Sequence, residues 1–224
     1  MSQKTQHNEE KDKAVGTAVS GFESFITKHQ KHITNALLAV LVIIAAIFAI
    51  NKWYITPLQK EAMAQTFVAE QYFRANEFTK AMNGDGNSMG FTDIIDQYGK
   101  KAGKSVYMYA GICELQLGNY QNAIDYLKKY NGKDEILAAR TFCCIGDAYV
   151  GLKNNSKALS FYEKAISEAD NLYTAQYLLK AGIVAEELGN NDKALEFYKE
   201  IQVKYPQTFE GYEVNKYISR LKIK

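Results

Sequence analysis

Apolar residues recur at helical spacing along most of the chain and predict helices rather than strands. The clearest stretch, residues 175–206, contains two amphipathic segments joined by a Gly-Asn-Asn-Asp turn and closed by a proline. A small residue lies near the middle of each segment, Gly182 in the first and Ala194 in the second. Because small residues let two helix backbones approach closely, this pattern predicts a helical hairpin.

The same hairpin pattern recurs twice upstream. Gly146 and Ala158 lie 36 residues before the pair just described, and Gly111 and Ala123 lie 35 residues earlier again. Self-similarity at about 34 residues, with one hairpin in each unit, is typical of a stacked helical array. The sequence therefore predicts an all-α solenoid.

A long apolar run precedes this array. No charged side chain occurs from Ile33 to Ile50, and no polar side chain from Ala36 onward. Eighteen helical residues span about 27 Å, close to the ~30 Å hydrocarbon core of a bilayer. Trp53 and Tyr54 follow where an interfacial aromatic belt belongs. The run predicts one transmembrane helix over residues 33–55, and a buried core helix is the alternative.

The arm before the apolar run is polar and then amphipathic. Residues 1–13 show no apolar period and are expected to be disordered, whereas residues 14–32 predict an amphipathic helix at a membrane surface. No small-residue cleavage site closes the run, which favours an uncleaved signal anchor. Lys28 and Lys31 favour a cytoplasmic arm, a single pass through a bacterial inner membrane, and a periplasmic repeat domain.

The segment between the membrane and the array is expected to be a degenerate first hairpin. Pro57 is expected to end the membrane helix, because the residue before a proline is disfavoured in the helical region. A second helix is predicted over residues 58–82, followed by a glycine-rich loop over 83–90 and a short helix over 91–98.

A last helix is predicted to cap the array. It begins near Thr208, and Tyr212, Tyr217, Ile218 and Leu221 are expected to cover the exposed end. The predicted boundaries are 1–32 for the arm, 33–55 for the transmembrane helix, 56–103 for the degenerate hairpin, 104–138, 139–174 and 175–207 for the three repeats, and 208–224 for the capping helix.

Composition argues against catalysis and against nucleic acid. The 27 basic and 25 acidic residues are interspersed and give a net charge of +2, whereas phosphate binding needs a concentrated basic surface. All three histidines (His7, His29 and His32) precede the apolar run, so the predicted array has no imidazole for acid–base or metal chemistry. We expect no catalytic residue, no cofactor, no metal ion and no small-molecule substrate.

Three cysteines, Cys113, Cys143 and Cys144, fall on predicted first helices of the hairpins. A buried, small apolar role is the commoner one for such residues. An odd set of free thiols is unusual in an oxidising compartment, which counts against an exported domain or indicates a weakly oxidising compartment.

The repeated units resemble tetratricopeptide repeats. The resemblance implies three clear repeats, a groove lined by the first helix of each hairpin, and a protein as the ligand of that groove. The residues that carry it are Gly111, Leu117, Gly118, Tyr120 and Ala123; Gly146, Tyr149, Leu152, Ala158, Tyr162 and Ala165; and Gly182, Leu188, Gly189, Ala194, Tyr198 and Pro206.

The stripe roughly opposite each packing glycine is expected to face this groove. Some members of the family grip a C-terminal carboxylate with paired Asn and Lys, but Tyr109, Ile112 and Cys144 take those places here. An extended or helical protein segment is therefore the expected ligand, unless the chain's own helix over 58–82 fills part of the groove. The candidate residues are Tyr109, Ile112, Gln116, Arg140, Asp147, Gln176, Lys180, Ile183 and Glu187, with Ser105, Cys144 and Gly151 completing the stripe.

The whole layout also resembles envelope proteins of the YfgM type, which combine a short arm, one signal anchor and a few repeats. That resemblance implies a tethered module that associates with the Sec translocon and assists newly exported proteins, with translocon subunits or exported clients as partners. A passive scaffold or oligomerisation subunit of another envelope complex is the alternative, and an enzyme is the third possibility.

Overall fold

The computed structural model describes residues 27–223 of the chain. It divides into two compact units, with the boundary between Pro57 and Leu58. Most of the amphipathic helix predicted over residues 14–32 lies outside the described residues.

The first unit contains helix α1, residues 27–50, followed by one π-helical turn, Asn51–Ile55. Its apolar side chains are exposed: Leu37, Val42 and Phe48 expose 60%, 63% and 66% of their surface. No residue of the apolar window is buried, so the alternative of a core helix does not apply. The helix is long and apolar enough to cross a membrane.

Pro57 does not end the helix, contrary to the expectation. The backbone stays helical from Thr27 to Arg74, and Thr56 has helical angles of φ −63° and ψ −45°. A proline inside a helix lacks an N–H, and its ring crowds the carbonyl four residues back. Here the π-helical turn widens the helix just before the ring, since the Thr56 N–H and hydroxyl both donate to the Asn51 carbonyl five residues back. The wider turn accommodates the proline.

The remainder of the described chain is helical, without a strand between residues 56 and 223. A short 3₁₀ helix, Gly99–Ala102, follows α4. The helices are α2 (Thr56–Arg74), α3 (Phe78–Asn83), α4 (Phe91–Tyr98), α5 (Ser105–Gln116), α6 (Tyr120–Leu127), α7 (Glu135–Gly151), α8 (Asn155–Glu168), α9 (Thr174–Glu187), α10 (Asn191–Lys204) and α11 (Phe209–Ile223).

Helices α5–α6, α7–α8 and α9–α10 form the three predicted hairpins. Each second helix also packs against the first helix of the next hairpin, α6 against α7 and α8 against α9. The hairpins therefore stack in chain order, which confirms the all-α solenoid.

Each hairpin turns through one residue in the left-handed region. Gly118 and Gly189 take φ +79° and +76°, and Lys153 takes φ +57° at the same place in the second repeat. The amide of that residue and the amide after it close the end of the helix in the same way each time; the Lys153 N–H donates to the Val150 carbonyl and the Asn154 N–H to the Tyr149 carbonyl, both over 2.8 Å. This is the Schellman arrangement, and it holds at the lysine despite the steric cost of its Cβ.

The first hairpin differs from the prediction. The helix expected over residues 58–82 is broken at Asn76, which has φ +59°. The Asn76 N–H donates to the Phe73 carbonyl and the Glu77 N–H to the Tyr72 carbonyl, so this is a Schellman turn like the other three. Asparagine tolerates the left-handed region better than most residues, which is why a helix can turn here without glycine. The hairpin is thus α2–α3, and α4 follows it as a separate helix.

The space beside each packing glycine is filled by a large side chain from the second helix of the hairpin. A Cβ at Gly146 would lie 2.5 Å from Tyr162 Cε1, and one at Gly111 would lie 2.5 Å from Leu127 Cγ. Tyr162 and Leu127 are almost fully buried. The small residue on one helix therefore leaves room for a large side chain from the other.

Helix α11 covers the end of the array with part of the predicted set. Val214 and Ile218 are buried and Tyr217 is half-buried against the ring of Tyr198. Tyr212 was expected to contribute but is 74% exposed, because the buried face of α11 follows Val214 instead. The predicted cap at Thr208 is present, with its hydroxyl accepting the Gly211 N–H over 3.1 Å.

Candidate functional site

The first helices of the three repeats line a cavity of about 550 Å³. Because α5, α7 and α9 each present one face to it, it has the position expected of the groove. Its walls are Ile112, Leu115 and Gln116 from α5, Ile136, Leu137, Arg140, Cys143, Cys144 and Asp147 from α7, and Tyr173, Gln176, Tyr177 and Lys180 from α9 and the residue before it.

Six of the nine candidate residues line this cavity: Ile112, Gln116, Arg140, Asp147, Gln176 and Lys180. No residue of α2 contributes to the walls, so the chain's own helix does not fill this part of the groove.

The other three candidates lie elsewhere. Tyr109 packs against Phe91 and Phe73, with ring centroids 5.7 and 5.0 Å away, in the contact between the first hairpin and the first repeat. Ile183 is half-buried and does not reach the cavity. Glu187 accepts a hydrogen bond of 2.6 Å from Asn155 of the preceding repeat.

Gly151, the last residue of the α7 stripe, does not face the groove either. A Cβ there would lie 2.5 Å from Cε1 of Tyr120 in the preceding repeat. Its small size serves the packing between repeats.

Asp147 and Lys180 are paired with each other. Lys180 Nζ lies 2.7 Å from both carboxylate oxygens of Asp147, and the Tyr162 hydroxyl donates to the same carboxylate over 2.8 Å. Burial alone would lower the pKa of Lys180, but the surrounding groups, Asp147 among them, raise it by more. These three residues tie the second repeat to the third, and the lysine charge is neutralised.

Arg140 is differently placed. The described part of the chain provides no hydrogen-bond or ion-pair partner for its guanidinium, and none for the side-chain amides of Gln116 and Gln176. Ile136 and Tyr173 beside it expose 47% and 61% of their surface. With Asp147 and Lys180 cancelling, the cavity carries one net positive charge between apolar walls.

The cysteines are free and poorly ionisable. Cys113 and Cys143 are buried and Cys144 is half-buried, all on first helices. Burial raises the pKa of Cys113 to about 12 and that of Cys144 to about 11, and it raises the pKa of Cys143 further still. Since the thiolate is the nucleophile and the oxidisable form, these thiols behave as small apolar side chains at neutral pH.

A second cavity lies between α2 and the start of α5, which the sequence reasoning missed. Met63 and Phe67 of α2 expose 67% and 60% of their surface and line this cavity of about 380 Å³ together with Ser105 of α5. One sequence signal could have identified the hairpin that carries this cavity: Ala81 follows Ala69 by twelve residues, the same spacing as Gly111 and Ala123. Both alanines are fully buried.

The described residues offer no group of three or more His, Cys, Asp or Glu side chains placed to hold a metal ion. His29 and His32 lie on α1, and His7 lies outside the described residues.

Two family models, both described as tetratricopeptide repeat, match the chain. One matches residues 105–133 and 176–208, and the other matches residues 139–171. These segments are the hairpins α5–α6, α7–α8 and α9–α10, so the chain contains three tetratricopeptide repeats. Such repeats form protein–protein interaction modules and scaffolds.

Two crystal structures of the protein MamA are similar to this chain. The first is 19% identical, with a TM-score of 0.52, and the match covers 70% of this chain and 93% of that protein. The second is 18% identical, with a TM-score of 0.54, covering 74% and 87%. At this identity the likeness shows the fold alone. No curated protein sequence matches the chain.

Proposed function

We propose that this chain is a membrane-tethered protein-binding module that assists newly exported polypeptides beside the Sec translocon. Helix α1 crosses the inner membrane of a two-membrane bacterium once, with the N-terminal arm in the cytoplasm and the repeats in the periplasm. The groove over the first helices holds segments of exported chains or of translocon subunits. Tethering raises the effective concentration of the groove where those chains emerge.

The observation that carries the proposal is the cavity between α5, α7 and α9. It combines exposed apolar side chains with amides and a guanidinium that have no partner among the described residues. Such a mixture suits a polypeptide segment, which presents backbone polar groups and apolar side chains together. The thiols are compatible with export, because two of the three are buried and thiols with a raised pKa resist oxidation.

Photo-crosslinking in native membranes tests the proposal. A crosslinking amino acid at Gln176, exposed in the groove, is compared with one at Glu196, exposed on α10 of the same repeat. We expect translocon subunits or exported chains to be captured from position 176 and not from position 196. Equal capture from both positions, or capture of neither class of partner, contradicts the proposal.

A topology reporter fused after Lys224 tests the orientation independently. Activity of a reporter that works only in the periplasm is expected. Activity of a reporter that works only in the cytoplasm would place the repeats in the cytoplasm. Exported proteins could then not be the clients of the groove.

A passive scaffold of another envelope complex is the second candidate, and one observation favours it. Val203, Phe209 and Tyr212 expose 77%, 70% and 74% of their surface on α10 and α11. Exposed large apolar side chains on adjacent helices are a feature of stable protein contacts. This function predicts one stoichiometric partner that co-purifies with the chain and is lost when Phe209 and Tyr212 are both changed to Ser.

A further inference from the structure

We infer that the groove selects segments in which an acidic side chain lies between large apolar side chains, and that Arg140 is the residue that reads the acid. The inference deepens the proposed function and rests on it, because it names the chemistry of the segment that the groove holds.

Charge complementarity is the first step. Of the charged residues that line the cavity, Asp147 and Lys180 neutralise each other at 2.7 Å. Arg140 has no anionic partner among residues 27–223. Arg140 is exposed and lines this cavity, where its guanidinium can bind an incoming carboxylate through two parallel hydrogen bonds.

The position of the apolar walls is the second step. Half-buried Leu115 of α5 lies on one side of α7, and Tyr173, 61% exposed, lies on the α9 side; Ile112 and Tyr177 complete the walls with only 6% and 3% of their surface exposed. A segment that places a carboxylate on Arg140 therefore meets apolar surface both before and after it. A C-terminal carboxylate would leave one of these walls uncovered, so an internal Asp or Glu fits the cavity better.

The test uses the full chain in nonionic micelles and fluorescent ten-residue peptides, amidated at the C-terminus. One peptide carries a central Glu flanked by Leu and Phe, and its matched partner carries Gln instead. We expect the Glu peptide to bind about 3- to 10-fold more tightly, since an exposed charge pair is weak and a partly desolvated one is stronger. Raising the salt concentration should reduce this ratio.

The variant Arg140→Gln should bring the ratio of the two affinities to about one. The control variant Arg74→Gln removes another exposed cation, which lies outside the cavity and pairs with Glu70, and should leave the ratio unchanged. The charge-reversed pair, Arg140→Glu with a central Lys peptide, should restore the preference. Arg140 has no partner to lose, so its variants are expected to keep the wild-type melting temperature.

The outcomes separate this inference from the function it rests on. Equal binding of the Glu and Gln peptides to the wild-type chain overturns the role of Arg140 and leaves the groove as a general peptide site. Binding of neither peptide overturns both. Preference for a peptide with a free C-terminal carboxylate and no Glu overturns the choice of an internal acid.

Discussion

The substitution Gly146→Ala tests the packing rule on which the array is built. The new Cβ would lie 2.5 Å from Cε1 and 2.6 Å from Cδ1 of Tyr162, well inside van der Waals contact. Tyr162 cannot retreat freely, because it is 2% exposed and its hydroxyl is held by Asp147 at 2.8 Å. The ring must move by about 1 Å or lose that hydrogen bond.

The change in the free energy of unfolding follows from two opposing effects of the new methyl group. Overpacking a core costs about 1–3 kcal/mol, whereas replacing a helical glycine by alanine stabilises a helix by about 1 kcal/mol. We expect a net loss of up to about 2 kcal/mol, which lowers the melting temperature by up to about 8 °C for a domain of this size. Urea unfolding of the full chain in micelles, followed by circular dichroism, measures it.

Two comparisons show whether the clash with Tyr162 causes the loss of stability. In a Tyr162→Val background the three ring atoms nearest the new Cβ are absent, so Gly146→Ala should become neutral or stabilising there. The exposed control Ser160→Ala on α8 should stay within about 0.5 kcal/mol of wild type. A stabilising effect of Gly146→Ala in the wild-type chain, or a loss that persists without the ring, would refute the reasoning.

Three further outcomes are expected. Burial raises the pKa of Tyr198 above the 10.0 of an unfolded chain, so its contribution to stability is complete below pH 10 and is lost above it, at about 1.4 kcal/mol per pH unit. Tyr198→Phe should make urea midpoints fall less steeply above pH 10, and identical slopes would contradict this. Cys144, with a pKa of about 11 against an ordinary 9.0, should react with iodoacetamide about 100-fold more slowly at pH 8 than in the urea-unfolded chain, measured by mass spectrometry; a difference below tenfold would show an accessible thiolate. Phe67→Ser should weaken peptide binding while leaving the melting temperature within about 2 °C, because the ring is 60% exposed; a large loss of stability would mean that the ring serves the core.

The sequence predicted the repeats because the packing positions repeat in type as well as in spacing. Gly111, Gly146 and Gly182 each precede a small residue by twelve positions, and in the structure they face Leu127, Tyr162 and Tyr198. The sequence analysis predicted a first hairpin but misplaced its turn, because Ala69 and Asn76 occupy the places that Gly111 and Gly118 occupy in the first repeat.

Predictions from local sequence rules failed where a neighbouring part of the structure decides the outcome. The rule that a proline ends a helix was overridden by the π-helical turn before Pro57, which no periodicity announces. The sequence placed Asp147 and Lys180 on one face but could not show that they pair, because that depends on the angle between two helices 33 residues apart in the chain. For the same reason Arg140 could not be distinguished beforehand as the cation left without a partner.

The carboxylate of Asp147 has a consequence for how neighbouring repeats are held together. It bridges the second and third repeats, and Glu186 does the same between the third repeat and α11 by accepting from both Tyr198 and Arg220. The described residues show no comparable side-chain hydrogen bond between the first and second repeats. Those repeats meet through packing, such as that of Tyr120 against Gly151. The joint on the α5 side of the cavity is therefore held by core packing, whereas the joint on the α9 side adds a charged hydrogen bond to its packing.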